Sequence, residues 1–280
     1  MAIGDPTRIN TNIAAFNALN ALKTVNRNLE ISQLRLATGR RINEVADDPA
    51  GFTISKRLEA RSRGLSVALN NVGTAKNVLS IAEGGLLNIS DILITIKEKV
   101  TQAASDTLGP SERNAIKNEI DQLVAEIDDI VGETTFNDIA LINGTYSASY
   151  QTGEGSTDTL AVALTQSASS TGLAITSAFL SSKVSNATDA ASALISVDAA
   201  IETVSGVLQE VGAFSARLTT KESTLSIAIT NTEATRSRIL DADIAWEQLN
   251  ATRFLILQQT ATAQLAQANI TPQNVLALFM

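Results

Sequence analysis

At 280 residues the chain is long enough for one large core or for one or two extended domains. Its Ala-rich apolar content, four prolines and 4% aromatics favour long helices over a globular α/β enzyme. The net charge of −8 and pI near 4.7 exclude nucleic acid or an anionic membrane as partner, because both need concentrated Lys and Arg.

Near the start, MAIGDPTRINTNIAAF is broken by Asp5, Pro6, Arg8 and several Asn. A cleaved Sec-type signal is therefore not expected, and export would use another route. Ile9 to Leu22, which includes Ile13 and Phe16, carries no charge, and Leu22, Leu29 and Leu36 keep a seven-residue step. These features predict a short amphipathic arm.

Asp48 is a candidate N-cap with Pro49 at the first helical position. From Leu58, the positions Leu65, Val72, Leu79, Leu86, Leu93 and Val100 recur every seven residues. Ile54, Ala68, Ala75, Ala82, Ile89, Ile96 and Ala103 form a companion track interrupted only by Arg61. This spacing predicts one long helix, about 49 to 105, packed in coiled-coil fashion. Gly109-Pro110 ends it, and Ile116, Ile120, Leu123, Ile127 and Ile130 predict a second helix over about 111 to 131. So short a connection makes the two antiparallel.

An excursion follows, about 143 to 189, rich in Ser, Thr, Gly and Ala. Tyr146 to Gln151 and Thr157 to Thr165, around Gly153-Glu154-Gly155, read as a β-hairpin with Leu160, Val162 and Leu164 on one face; the alternative is a flexible surface loop. A third heptad run, Val197, Ile201, Val204, Leu208, Val211, Leu218, Leu225 and Ile229, is broken by Ser215 and Glu222 and supplies the remaining face of a bundle.

The last 27 residues, Phe254 to Met280, contain no Asp, Glu, Lys or Arg but many Gln and Asn. Such a tail is too polar to insert in a membrane and too uncharged for an ordinary solvated end. Leu257, Ala261, Leu265 and Ala268 form one apolar stripe, and Trp246 and Phe254 read as core or interface anchors. Each arm alone is a marginal helix in water, so both are expected to be disordered or fraying in a free monomer.

Chemistry is sparse. With no His and no Cys, Ser-His and Cys-His nucleophiles, disulfides, thiolate metal sites and the HExxH zinc motif are excluded; no catalytic, cofactor or metal site is expected. The pairs Asp47-Asp48, Asp128-Asp129 and Asp241/Asp243 could bind a cation or serve as helix caps and solvated faces. Arg40, Arg41, Arg57, Arg61 and Arg63 lack the interleaved aromatics of a nucleic-acid site. They are expected to meet Glu44, Asp47, Asp48, Asp241, Asp243 or Glu247, within the chain or on a neighbouring subunit.

Taken in order, INTNIAAFNALNAL, LATGRRINEVADDPAGFTISKRLEA, EIDDIVGETTFNDIALING, ATRSRILDADIAWE and LAQANITPQNVLALF resemble bacterial flagellin, over about 9–143 and 204–279. The resemblance implies an all-α fold: an elongated antiparallel coiled-coil or helical bundle with a small β-hairpin, plus paired terminal helical arms. The arms, 1–50 and 241–280, would form the inner tube of a filament. The bundle, 51–240 with its hairpin near 145–165, would form the outer tube without the outer variable domains of larger flagellins.

Implied too are polymerisation through Ile13, Phe16, Leu22, Leu29, Leu36, Trp246, Phe254, Leu257, Leu265, Val275, Leu276 and Leu278, and a secreted, extracellular flagellar location giving swimming motility. The implied partners are the chain itself, hook-associated junction and filament cap proteins and an export chaperone. The patch by which animal Toll-like receptors detect many flagellins, an Arg, a Leu and a Glu, falls here on Thr95, Lys99 and Glu119, which implies weak detection. MAIGDP extends before the usual start of the INTN motif. Two other readings compete: a hook–filament junction adaptor, and an enzyme or ligand-binding module on a helical scaffold.

Overall fold

Six helices and two short antiparallel ladders order the chain in the computed structural model, which describes residues 11–277, with the backbone alone for 187 and 271–277. In chain order they are α1 (Ile13–Thr38), α2 (Pro49–Ala103), α3 (Pro110–Glu133), β1 (Thr135–Phe136), β2 (Ile139–Ala140), β3 (Tyr146–Gln151), β4 (Thr159–Leu164), α4 (Ser177–Lys183), α5 (Ala187–Leu240) and α6 (Ile244–Ala277). The fold is all-α in class. Two compact units result: residues 1–60 with 231–280, and residues 61–230. The expectations for MAIGDP and for Leu278 lie outside the described residues.

In the second unit both tracks of α2 are buried, from Leu65 to Val100 and from Ala68 to Ala103. The pattern fails at its start. Ile54 is exposed and Leu58 half-buried, while Ser55 and Ser62 are buried. Between Ser62, Leu65 and Ala68 the buried face takes two successive three-residue steps, and this offset rotates the seam so that backward extrapolation lands on the wrong face. In α3 the buried residues are Arg113, Ile116, Ile120, Val124, Ile127 and Val131; Leu123 and Ile130 pack at the flank.

Polar contacts mark the helix directions. Lys99 of α2 meets Glu119 of α3 at 2.6 Å, and the Arg113 guanidinium donates to the Ala103 carbonyl, so α3 runs antiparallel to α2. Lys97 meets Asp198 and Lys76 meets Glu222, both at 2.7 Å, so α5 also runs antiparallel to α2. Lys76 thus receives the Glu222 carboxylate that interrupts the apolar run of α5. α2 and α5 each hold a window of mean hydropathy 1.4, long and apolar enough to cross a membrane by composition. Their buried tracks form the core of this unit.

The hairpin pairs Tyr146 with Leu164, Ala148 with Val162 and Tyr150 with Leu160, and its Leu160, Val162 and Leu164 are buried. Its turn is closed by the Asp158 carboxylate, which accepts from the Gly155 N–H at 3.0 Å. Glu154 in that turn pairs with Arg61 at 3.0 Å, and the Asn71 side chain donates to the Gln151 carbonyl at 3.3 Å. Two elements here were not anticipated. The β1–β2 ladder turns through Asn137 and Asp138, with φ of 51° and 63°, the left-handed pair that a two-residue hairpin turn requires. α4 starts at Thr176, whose hydroxyl accepts from the Phe179 N–H at 3.4 Å, and buries Leu180. Both are too short to show periodicity.

The first unit is organised by caps. Asn12 accepts from the Ala15 N–H to start α1, and Gly39, at φ 68°, ends it with its N–H on the Arg35 carbonyl. Asp48 accepts from the Gly51 N–H at 2.9 Å, as expected of the N-cap before Pro49. A Cβ on Gly51 would lie 2.4 Å from the Asp48 carboxylate and 2.7 Å from Ile42, so a larger residue there would displace the capping carboxylate or the buried Ile42 side chain. Asp243 accepts from the Trp246 N–H at 3.1 Å to start α6.

Between them the Asp47 carboxylate accepts from the Asn43 and Glu44 N–H groups at 2.9 and 3.1 Å, which holds its pKa below the ordinary value; Arg35 adds to the effect. The ionised form is therefore favoured in the folded state. Its stabilisation is complete above the unfolded value of about 3.9 and is lost as pH falls through the lower folded value. Protection of the Asn43 and Glu44 amides from hydrogen exchange should decline over that acidic range. Asp47→Ala should lack this decline, and an identical pH profile would refute the assignment.

Candidate assembly surfaces

α1 and α6 pair antiparallel, and three polar contacts mark the alignment. Arg35 meets Glu247 at 3.2 Å, Asn26 accepts from the Gln258 amide at 2.9 Å, and Asn12 donates to the Ala268 carbonyl at 2.7 Å. The residues facing this seam follow alternating four- and three-residue steps. On α6 they are Glu247, Ala251, Phe254, Gln258, Ala261, Leu265 and Ala268. On α1 the step runs through Leu22, Val25, Leu29, Ser32 and Leu36.

Of the expected arm residues, Leu29 is buried and Leu22, Leu36, Phe254 and Leu265 are half-buried on the seam. Leu257 is exposed, because Gln258 takes its place in the stripe. The seven-residue step from Glu247 through Phe254 to Ala261 and Ala268 leaves no seam position for 257, and periodicity in so apolar a tail could not separate the two. Trp246, at 61% exposure, is no part of the core of its unit. Ile13 is also exposed, and Phe16 is 60% exposed. Val275 and Leu276 lie in the helical backbone of α6, with side chains outside the description.

The outer face of α6 is apolar and open. Ile244, Trp246, Leu249, Leu255, Ile256, Leu257 and Ile270 are all exposed. A shallow hollow of about 600 Å³ is lined there by Leu249, Thr252, Arg253, Ile256 and Leu257, and a second, about 310 Å³, by Asn12, Ala15, Phe16, Leu19, Leu265 and Asn269. The exposed apolar side chains concentrate over 244–257, where Arg253 is the exposed charged residue, and the stretch beyond it exposes Gln and Thr without charge.

The expected ionic partners are partly redistributed. Arg41 reaches Asp48 only at 3.9 Å and donates to the Ile239 carbonyl at 2.8 Å, and Arg61 turns to Glu154. Glu247 is held by Arg35, which lies outside the basic cluster. Arg40 meets Asp241 through a backbone bridge. Asp128 accepts from the Ser170 N–H and hydroxyl at 2.8 and 2.7 Å. Among the described residues no group of three acidic side chains could hold a metal ion. Thr95 donates to the Asp91 carbonyl at 3.0 Å, and Lys99 and Glu119 are bound to each other.

The sequence reading missed Arg113, a structural residue. Only 9% exposed, it donates to the carbonyls of Ala103, Ser105 and Leu108 and so closes the end of α2. Its position three residues after Pro110, on the apolar face of α3, was the available signal.

Two family profiles cover most of the chain: the bacterial flagellin N-terminal helical region matches residues 9–147 and the C-terminal helical region matches residues 194–279. The flagellin of Halalkalibacterium halodurans is 35% identical over 265 residues, 93% of this chain and 96% of the relative. The chain belongs to the bacterial flagellin family. The flagellin of Bacillus subtilis is 34% identical over 301 residues, 97% of this chain and 99% of its own length. Among solved structures, a putative flagellar hook-associated protein from Vibrio parahaemolyticus is similar with a TM-score of 0.59 at 16% identity, over 70% of this chain and all of that one. At that identity the likeness concerns the fold.

Proposed function

We propose that the chain is a structural subunit that polymerises into the bacterial flagellar filament and so forms part of the propeller for swimming. The observation that carries this reading is the row of exposed apolar side chains on α6, followed by a segment uncharged from Phe254 onward, in a chain that matches flagellins over 93% and 97% of its length. A contact repeated between unlike faces by a rotation that does not close yields a helical polymer. The occupant of the open face is a second copy of the chain, because only another such uncharged surface satisfies it without stranding a charge.

On this reading the arms, 1–50 and 241–280, form the inner layer and the bundle, 51–240 with its hairpin, the outer layer. The arms pair but fray in the free chain and order fully on assembly. In support, Leu29, Ser32, Glu247 and Ala251 are the buried side chains of the α1–α6 pair among the described residues, a small core against an ordering cost of about 1–2 kcal/mol per residue. Ile13, Phe16, Trp246 and Leu257 then contact neighbouring copies, while Leu22, Leu36 and Leu265 close the seam.

The chain acts outside the cell, has no catalytic role, and meets hook-associated junction and cap proteins and an export chaperone. Purified protein raised in concentration with short filament seeds should elongate them under electron microscopy; no growth at any concentration would refute the filament role. Abundance in sheared appendages separates a filament subunit from a trace adaptor.

Receptor detection is weak because Lys99 replaces an apolar side chain and occupies Glu119. A Toll-like receptor reporter assay should show little response to the monomer, and a strong response would contradict this assignment.

A further inference from the structure

The most buried stretch of the arm seam, Leu29, Ser32, Glu247 and Ala251, includes a charged side chain whose partner Arg35 is half-buried. Glu247 is 6% exposed and lies one helical turn from Ala251, also buried; Arg35 lies one turn from the buried Ser32. A single hydrogen bond, Arg35 Nη1 to Glu247 Oε1 at 3.2 Å, joins the pair. Arg35 Nε and Glu247 Oε2 are buried without a hydrogen-bond partner among the described residues. A partly buried pair so incompletely bonded contributes little stability over apolar side chains of similar volume. Polar side chains in an otherwise apolar heptad seam are suited to another task, the selection of register.

We propose that Arg35 and Glu247 are the register lock of the arms: they admit one antiparallel alignment of α1 on α6 and reject those displaced by a heptad. The proposal rests on the filament reading, in which each subunit must present the same arm geometry to the next.

The seam itself cannot make this choice. Residue numbers in the three marker contacts sum to between 280 and 284, which defines the observed alignment. A slip of seven residues again sets apolar side chains opposite one another at several levels, Phe254 at Leu22 or Leu36 and Ala261 at Ala15 or Leu29. Its cost falls on the ionic level. In one direction Glu247 moves from Arg35 to Asn28 and exchanges a cationic partner for a neutral amide; in the other it passes beyond the end of α1 at Thr38 and leaves Arg35 near Phe254. Either slip strands a charge that the observed alignment pairs. The Asn26–Gln258 contact is neutral and carries a smaller penalty.

Because the chain contains no cysteine, engineered thiols can read the register directly. One full-length variant carries Asn26→Cys and Gln258→Cys, an adjacent pair in the observed alignment; a second carries Asn26→Cys and Ala251→Cys, adjacent after a slip of one heptad. Equilibration of dilute protein in a glutathione redox buffer gives the effective concentration of each thiol pair. The 26/258 pair should exceed the 26/251 pair by at least about tenfold.

With Arg35→Met and Glu247→Leu added, the preference should fall toward equality while helicity by circular dichroism stays at or above the parent's. The exchange Arg35→Glu with Glu247→Arg should restore it. An unchanged preference in the Met/Leu background, no preference in the parent, or no recovery on charge exchange would each overturn the lock. These measurements use free protein, so failure of the native chain to elongate seeds would overturn the filament reading alone.

Discussion

A chain carrying Leu265→Asp folds its bundle unit and fails to elongate filament seeds. Leu265 sits half-buried on the α1–α6 seam and lines the hollow with Asn12, Ala15 and Phe16. No Asp, Glu, Lys or Arg follows Arg253, so the new carboxylate has no cation within its own segment. Burying it unpaired costs several kcal/mol in every subunit, about 3 or more. That penalty recurs at each addition step and exceeds what a growing end can absorb.

Deletion of 254–280 acts in the same direction by removing the face altogether. Both proteins should retain the helical circular dichroism of the bundle, whose buried residues lie between Leu65 and Leu225. Long filaments from either variant would show that the arms are dispensable. A large loss of bundle helix in Leu265→Asp would show that the two units do not fold separately.

Arg113→Ala should destabilise the bundle unit by about 3 kcal/mol. The guanidinium is buried and satisfies three carbonyls where α2 ends and the chain turns into α3. Truncation leaves those acceptors without their charged donor and opens a void beside Ala103. Thermal unfolding should shift downward by several degrees, roughly 2–4 °C for each kcal/mol in a unit of this size. Arg113→Lys should recover only part of the loss, because an ammonium cannot fork to three carbonyls. A midpoint within a degree of the parent for Arg113→Ala would refute the structural role of the cap.

Read alone, the amino-acid order disclosed the long helices with little ambiguity. Heptad spacing over Leu65 to Ala103 is a local signal repeated many times, and every position in it proved buried. The cap at Asp48 and the alternation of Leu160, Val162 and Leu164 were equally local. So was the lack of charge in the last 27 residues, on which the proposed assembly role of the tail rests.

What the order of residues left open depends on pairing across the chain. Ser55 and Ser62, rather than Ile54, face inward because the seam of α2 shifts near Leu65, a choice made by the surfaces packed against it. Gln258 rather than Leu257 faces the seam because the step from Phe254 to Ala261 sets the phase of the stripe, and Asn26 stands opposite it. Glu247 found Arg35, 212 residues away, although nearer arginines carried the same charge. Periodicity specifies which stripe of a helix is apolar. Only the tertiary structure specifies which stripe of which other helix meets it, since that outcome depends on the summed packing and desolvation of both partners.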